Sequence, residues 1–345
     1  MSALPRVSRE VRLVARPEGL PTLAHFEVVE APVPDLTAGD VLVRTRYFHV
    51  FASLRMMIGG GAETVDGVPF PAIHPGDPLG GGAVGEVVAV ATEDCGLRPG
   101  DVVFHWKGWR EYAVVPAAGC TRAPSALPDP VTLLEQGWTA YAALTRGARI
   151  RPGDTVFVSS GGSSIGSMAG QIARLLGAGR VIGSAGSREK ADRLVAELGY
   201  DAAVVRGAEP IVDQLAKAAP DGIDVYFDNV GGEQLQAAVT AARTGARFVL
   251  VGALSGQLSP HGNGMTAPVT LDSFQLLLKR IELCGFSSDD LNDDARAEWT
   301  EQFGAWLRSG DITFPHVLVH GIDQAPQTLL DVIGGRHLGT VLVEP

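Results

Sequence analysis

The chain of 345 residues carries 39 Asp and Glu against 28 Lys and Arg, a formal net charge of −11, and 46% of it is hydrophobic. That balance describes a globular chain with core enough for about two domains, and it disfavours nucleic acid as a partner, because phosphate contact needs clustered cations. No apolar run approaches the roughly 18 residues of a membrane helix, MSALPRVSREVRL has no signal-peptide core, and Cys95, Cys120 and Cys284 are too scattered for a disulfide framework or a metal cluster, so a cytoplasmic protein is expected.

Residues 1–127 read as β-rich, with short apolar or alternating runs at 27–30, 41–46, 85–91, 101–106 and 111–116 separated by Gly and Pro. From about 128 the rhythm changes to alternating helices and strands: helix 131–146, strand 155–158, helix 165–176, strand 180–184, helix 188–198, strand 202–205, helix 209–218, strand 223–227, helix 232–241 and strand 247–251. Such alternation predicts a parallel sheet covered on both faces, with a sixth strand at 280–284. A helix at 292–308 follows, and two strand-like pieces, 316–320 and 340–343, flank a last helix and return to the first unit for partners. The expected domains are therefore 1–127 with 286–345, and 128–285.

The most informative stretch is Val156 to Gln171, VFVSSGGSSIGSMAGQ. A strand runs into a small-residue turn and then a helix, so bare backbone N–H groups and a positive helix end can meet a dinucleotide pyrophosphate. Gly161 and Gly166 fit the fingerprint G-x-G-x-x-G, while its middle position is Ser163. Ser163, Ser164, Ile165 and Gly166 are the expected phosphate contacts. The next strand ends without the acid that would hold a ribose 2′-hydroxyl and offers Ser187, Arg188 and Lys190 instead. A hydroxyl with cations suits a 2′-phosphate and hence NADPH; the competing reading makes Arg188 and Lys190 solvated first-turn residues.

The strings Leu79 to Val88, Gly137-Trp138-Thr139-Ala140-Tyr141, Gly166-Ser167 to Gly170-Gln171, Glu189-Lys190, Glu197-Leu198-Gly199 and Tyr226-Phe227-Asp228-Asn229-Val230-Gly231-Gly232 occur in an order that resembles the medium-chain dehydrogenase/reductase superfamily. Their detail is similar to the zinc-independent branch of prostaglandin and alkenal/one double-bond reductases. The resemblance implies a Rossmann doubly wound parallel sheet beside a β-rich GroES-like barrel. It also implies NADPH-dependent hydride transfer to the β-carbon of an activated double bond, and a homodimer. It places Lys190 at the 2′-phosphate, Gly166 at the phosphate turn and Asn229 beside the cofactor, with Thr139, Arg206 and Gly252 as further cofactor contacts. Zinc is not expected, since a catalytic site needs about three protein ligands and His49 and His74 are scattered and lack a cysteine.

The departures from the branch fall at the chemistry. Where many double-bond reductases carry Asp-Pro-Tyr-Met-Arg, this chain reads Phe51-Ala52-Ser53-Leu54-Arg55, and the later Tyr-Asn pair is replaced by Gly256-Gln257-Leu258. The tail string Asn-Leu-Gly-Lys becomes His337-Leu338-Gly339-Thr340. Ser53, helped by His49, is then the candidate for stabilising the enolate oxygen and delivering a proton; the plain alternatives are a structural serine and a strand-edge histidine. Phe51, Trp106, Trp138 and Phe286, with Phe48 and Trp109, are expected to line an aromatic cleft, which suits a large, flat or conjugated small-molecule substrate. Loop 256–268 is expected as a flexible rim. Missing phenols leave a reductive cyclase open as an alternative to simple reduction, together with a quinone reductase and a cofactor-binding sensor without turnover.

Overall fold

The computed structural model describes residues 4–63, 70–92 and 94–345. Its first part is built from β1 (Val7–Leu13), β2 (Phe26–Pro32), β3 (Asp40–Val50), helix α1 (Leu54–Ile58), β4 (Ala83–Val90), β5 (Val102–His105), β6 (Tyr112–Pro116) and β7 (Thr121–Arg122). β1 and β2 form an antiparallel ribbon. The remaining strands wrap around β3, which pairs along one edge with β4. Its other edge is shared: residues 40–44 meet β6, and residues 48–50 meet the C-terminal strand. One long central strand therefore ties the chain's end to its beginning, and its apolar positions anchor a core of Val11, Leu13, Phe48, Val50, Leu54, Leu79 and Trp109.

Helix α2 (Gly137–Ala142) leads into the second sheet: β8 (Thr155–Val158), α3 (Ser164–Leu175), β9 (Arg180–Ala185), α4 (Arg188–Leu198), β10 (Ala202–Val205), α5 (Ile211–Ala218), β11 (Ile223–Asp228), α6 (Gly232–Ala241), β12 (Ala242–Leu250), α7 (Leu254–Gln257), α8 (Ser273–Lys279) and β13 (Glu282–Gly285). The order is β10-β9-β8-β11-β12-β13, all parallel, with β8 and β11 as neighbours where the order reverses. β8, Thr-Val-Phe-Val, is buried at every position because helices cover both faces, as a central parallel strand requires. The expected helix over 131–146 is divided: a 3₁₀ turn at Pro130–Leu134, α2, and a π turn at Ala143–Gly147.

Helix α9 (Asp293–Ser309), strand β14 (His316–His320), helix α10 (Ala325–Ile333) and strand β15 (Thr340–Glu344) complete the chain. β14 and β15 join the first sheet through β3, as the sequence indicates. α9 does not follow them. Its Ala295, Trp299 and Phe303 are buried in the same core as Tyr141, Val158, Met168 and Phe227, so this stretch of 286–345 packs with the nucleotide sheet rather than the barrel. The cause is aromatic: Trp299 stacks on Phe303 at 4.9 Å and on Tyr141 at 5.2 Å, and its indole N–H donates to buried Glu135 at 2.9 Å.

Candidate active site

The carboxyl ends of β8 to β12 share one edge of the parallel sheet, and the expected cofactor contacts gather there. After β8 the chain turns through Ser160 at φ +53° and enters α3 with Ser163 as N-cap, whose Oγ accepts from the Gly166 amide at 3.0 Å. Ser163 sits at φ −76°, extended backbone that carries a side chain freely. The fingerprint thus survives the loss of its middle glycine: the serine caps the helix where glycine would only leave room. The outer glycines are held by contact. A Cβ on Gly166 would lie 2.1 Å from the Ser160 carbonyl oxygen, and one on Gly161 would lie 3.1 Å from both the Leu194 side chain and the Tyr200 hydroxyl. Tyr200 donates to the Gly166 carbonyl at 2.7 Å and so buttresses the corner from below. The N–H groups of Ser164 and Ile165 have no partner and sit at the positive end of a twelve-residue helix, where a pyrophosphate fits.

The adenosine end is cationic. Ser187 caps α4 by accepting from the Lys190 amide at 3.2 Å. Arg188 is exposed, and Arg206, at the end of β10, is tied by its amide to the Ala185 carbonyl at 2.9 Å. Only Gly186 intervenes; a Cβ there would stand 3.6 Å from an Arg206 guanidinium nitrogen. Among the described residues neither guanidinium has a carboxylate partner, although most arginines elsewhere on the surface do. Lys190 is half-buried and points its ammonium at the carbonyls of Gly335 (3.1 Å) and His337. Burial, then Arg193, holds that ammonium below the ordinary lysine range. Three cations with no salt-bridging carboxylate among the described residues form a site that a 2′-phosphate would complete.

At the switch point β11 ends in Asp228, fully buried, whose Oδ1 accepts from Ser159 Oγ, Tyr226 Oη and the amides of Val230 and Gly231 at 2.8–2.9 Å. Asn229 is locked beside it: its amide donates to Ser159 Oγ at 2.7 Å and its Nδ2 to the Ser159 carbonyl at 2.8 Å. Gly252 lies against Asn229, since a Cβ there would come within 2.9 Å of the Asn229 carbonyl oxygen. Thr139, on α2, is half-buried and bonded to Ser288 at 3.2 Å. Sequence reasoning quoted Asp228 within a motif but gave it no role; four hydrogen bonds on one oxygen make it the post on which this corner is hung.

The barrel faces this edge through its own C-terminal strand. The Gly339 amide donates to the Gly162 carbonyl at 3.0 Å, and Thr340 is bonded to Ser164. His49 is buried on β3, its ring 5.4 Å from that of Phe51, and its Nε2 has no partner. Burial alone pulls its pKa down to about 4, so the imidazole is neutral at ordinary pH. Ser53 precedes α1, is half-buried, and its hydroxyl makes no capping bond. Phe51 is half-buried and presses on Gly81, where a Cβ would sit 2.8 Å from its ring. Trp106 is 63% exposed just past β5. Trp138 belongs to the core beneath α9, with the Arg296 guanidinium 5.4 Å from its ring centre, and Phe286 leans on Gly147.

Three expected cleft aromatics are core residues instead: Trp138 beneath α9, and Phe48 and Trp109 in the barrel. Phe48 and Trp109 are completely buried and pack on each other at 5.1 Å inside the barrel, because alternation along β3 turns Phe48 away from the face that carries His49. Among the described residues no group of three His, Cys, Asp or Glu could hold a metal, so the donor set does not fit zinc. His74 pairs with Glu63 at 3.3 Å on the surface.

The family descriptions that match are "N-terminal domain of oxidoreductase" over residues 9–123 and "Zinc-binding dehydrogenase" over 164–306. The crystal structure of CurA in complex with NADPH from Vibrio vulnificus superposes with a TM-score of 0.86 at 30% identity, covering 97% of this chain and 98% of that one. The chain belongs to the zinc-independent branch of the medium-chain dehydrogenase/reductase superfamily. This reductase is also similar to the NADPH-dependent curcumin reductase of Escherichia coli (29% identical, 96% of this chain, 95% of the relative). It resembles the NADP⁺-dependent 2-alkenal reductase of Nicotiana tabacum at 29% identity over 94% of each chain. It is an NADPH-dependent oxidoreductase.

Proposed function

We propose that this reductase transfers a hydride to the β-carbon of an α,β-unsaturated carbonyl or polyenone. The single observation that carries the reading is the pairing of a barrel wall of His49, Phe51 and Ser53 with a candidate NADPH edge at 159–166, 187–190, Arg206, Asn229 and Gly252. Bound NADPH supplies the hydride from its nicotinamide. Hydride arrival at the β-carbon moves an electron pair onto the carbonyl oxygen, and that oxygen needs a donor. Ser53 Oγ, which caps nothing, and the neutral His49 ring, whose Nε2 has no partner among the described residues, supply O–H and N–H donors that a site closed over substrate would strengthen. A neutral His49 orients and donates a hydrogen bond; it is not a strong acid. The α-carbon then takes a proton by way of Ser53. Phe51 and Trp106 offer aromatic faces to a flat substrate, with Trp138 and Phe286 stiffening the wall behind.

Phenols are committed elsewhere: Tyr141 to Glu298, Tyr200 to Gly166, and Tyr226 to Asp228, while Tyr47 and Tyr112 stand on the outer faces of β3 and β6. A slow proton donor favours a second reading, in which the enolate attacks another electrophilic carbon of the same substrate and closes a ring. A panel of enones, polyenones and quinones assayed for NADPH oxidation tests both. Saturated products with an intact carbonyl support reduction, an added ring with the same gain of two hydrogens supports cyclisation, and alcohol or hydroquinone products contradict the proposal.

By packing, residues 1–127 with the returning strands form the substrate side, while 128–285 together with α9 form the cofactor side. The partner protein is a second copy. β13 is exposed along its length at the sheet edge, and α8 beside it presents Phe274, Leu277 and Leu278 at 62–69% exposure, which an edge-to-edge twofold pairing would cover.

A further inference from the structure

Arg55 is the one residue of the α1 region whose chemistry has no counterpart in the site. It is fully buried, yet no carboxylate faces it among the described residues. Its guanidinium donates to the carbonyl oxygens of Gly262 at 2.7 Å and Ser259 at 3.4 Å, and its Nε and Nη1 have no partner. Those two carbonyls belong to residues 254–266, which overlap the loop 256–268 expected as a rim. The segment leaves the nucleotide side directly from the Asn229 corner: the Leu254 amide donates to the Asn229 carbonyl at 3.0 Å and the Ser255 amide to the Val230 carbonyl at 2.9 Å. It then crosses to the barrel and lies against glycines that admit it. A Cβ on Gly19 would meet the Pro260 carbonyl oxygen at 2.4 Å, one on Gly61 would meet Met265 at 2.2 Å, and one on Gly264 (φ +81°) would lie 2.6 Å from Arg55 Nη1.

We propose that Arg55 is a positioning residue, the catch by which residues 254–266 of the cofactor side are strapped across α1 of the substrate side, fixing Ser53 relative to Asn229. A buried cation held only by neutral carbonyls is costly to desolvate and regains water when the strap lifts. The strap is therefore set close to balance, able to open for substrate and to close over it. The inference rests on the proposed role of Ser53 for its kinetic consequence, but the strap itself does not depend on that role. The phosphate cations lie on α4 and β10, on other elements, so the share of cofactor affinity that they supply does not depend on the catch.

Two substitutions approach the contact from opposite sides: Arg55→Ala removes the donor, and Gly264→Ala intrudes on it. Hydrogen–deuterium exchange of the full-length protein should show faster exchange confined to peptides covering 254–266 and 54–61 in both variants. NADPH affinity by calorimetry should stay within about threefold of the parent, and, against an enone substrate, KM should rise on the order of 10-fold with a smaller loss in kcat. The double variant should be no worse than the worse single one, because both break the same contact. Arg55→Lys, a point charge without the planar fork, should recover part of the protection. Unchanged exchange at 254–266 in Arg55→Ala, or additive effects in the double variant, would overturn the catch. Changed exchange with no turnover on any enone by the parent protein would leave the catch standing and count against the proposed reaction instead.

Discussion

The two walls of the cleft are built on opposite terms. On the cofactor wall Asp228 Oδ1 serves four donors, Ser159 links Asp228 to Asn229 and Ser184 bonds Gln234, while Asp228 Oδ2 and Arg247 Nε are buried without a partner among the described residues. On the barrel wall Thr45 Oγ1, His49 Nε2, His105 Nε2, Trp109 Nε1 and two nitrogens of Arg55 are buried with none. Burying an unpaired donor or acceptor costs about 1–3 kcal/mol, so the barrel carries more of this cost than the nucleotide sheet does. The difference separates recognition from chemistry: the cofactor wall is finished before the cofactor arrives, except for the amides and cations kept for its phosphates, whereas the barrel wall keeps donors in reserve for a changing charge.

The contrast breaks most easily at the adenosine end. Replacing Arg188 and Lys190 together by Ala should weaken NADPH binding on the order of 100- to 10,000-fold, from two charge-assisted contacts of about 1.5–3 kcal/mol each, and leave NADH within about threefold; calorimetry with both nucleotides decides it. An equal loss for the two would assign these cations to structure. On the barrel wall, Ser53→Ala should lower kcat on the order of 100-fold while the calorimetric NADPH affinity stays put, and an unchanged kcat removes Ser53 from the reaction.

Acid sharpens the comparison from the side of stability. Burial brings both His49 and His105 down to about 4 from the usual 6.5, with Arg110 and Lys107 adding to the shift at His105. The unfolded chain takes up those protons near 6.5 and the folded chain only near 4. Their contribution is therefore complete above pH 6.5 and is lost as pH falls toward 4, at about 1.4 kcal/mol per pH unit for each histidine. Urea unfolding at pH 6.5 and pH 5 should show the loss, and His105→Leu should roughly halve it; a pH-independent midpoint would show that the rings are hydrated. The smallest effect is on assembly: Leu277→Asp should convert a dimer to a monomer in light scattering without altering NADPH affinity, and a parent protein that is already monomeric would dismiss the edge pairing.

The cofactor wall was legible in the sequence because its determinants are local. A strand, a turn and a helix N-terminus lie within sixteen residues, and α4, β10 and α6 fall at the expected positions. The barrel wall was not, because its roles depend on contacts far apart in the chain. Arg55 gains meaning only from Gly262, and the sidedness that buries Phe48 while His49 faces the cleft depends on the register of β3 against β4 and β15. β1 escaped notice because VSREVRL carries alternate Arg and Glu, which the ribbon turns to ion pairs with Glu10 and Glu111. α8 was overlooked because Phe274, Leu277 and Leu278 are exposed and, of its apolar residues, Leu276 alone packs on the nucleotide-sheet core among the described residues.

The most direct test of the whole account is the fate of the label from NADPH carrying deuterium at both C4 positions, with an α,β-unsaturated ketone as acceptor. The account predicts one deuterium at the β-carbon of a saturated ketone, with the α-hydrogen drawn from water. Deuterium on the carbonyl carbon of an alcohol, or none in any product, would contradict it.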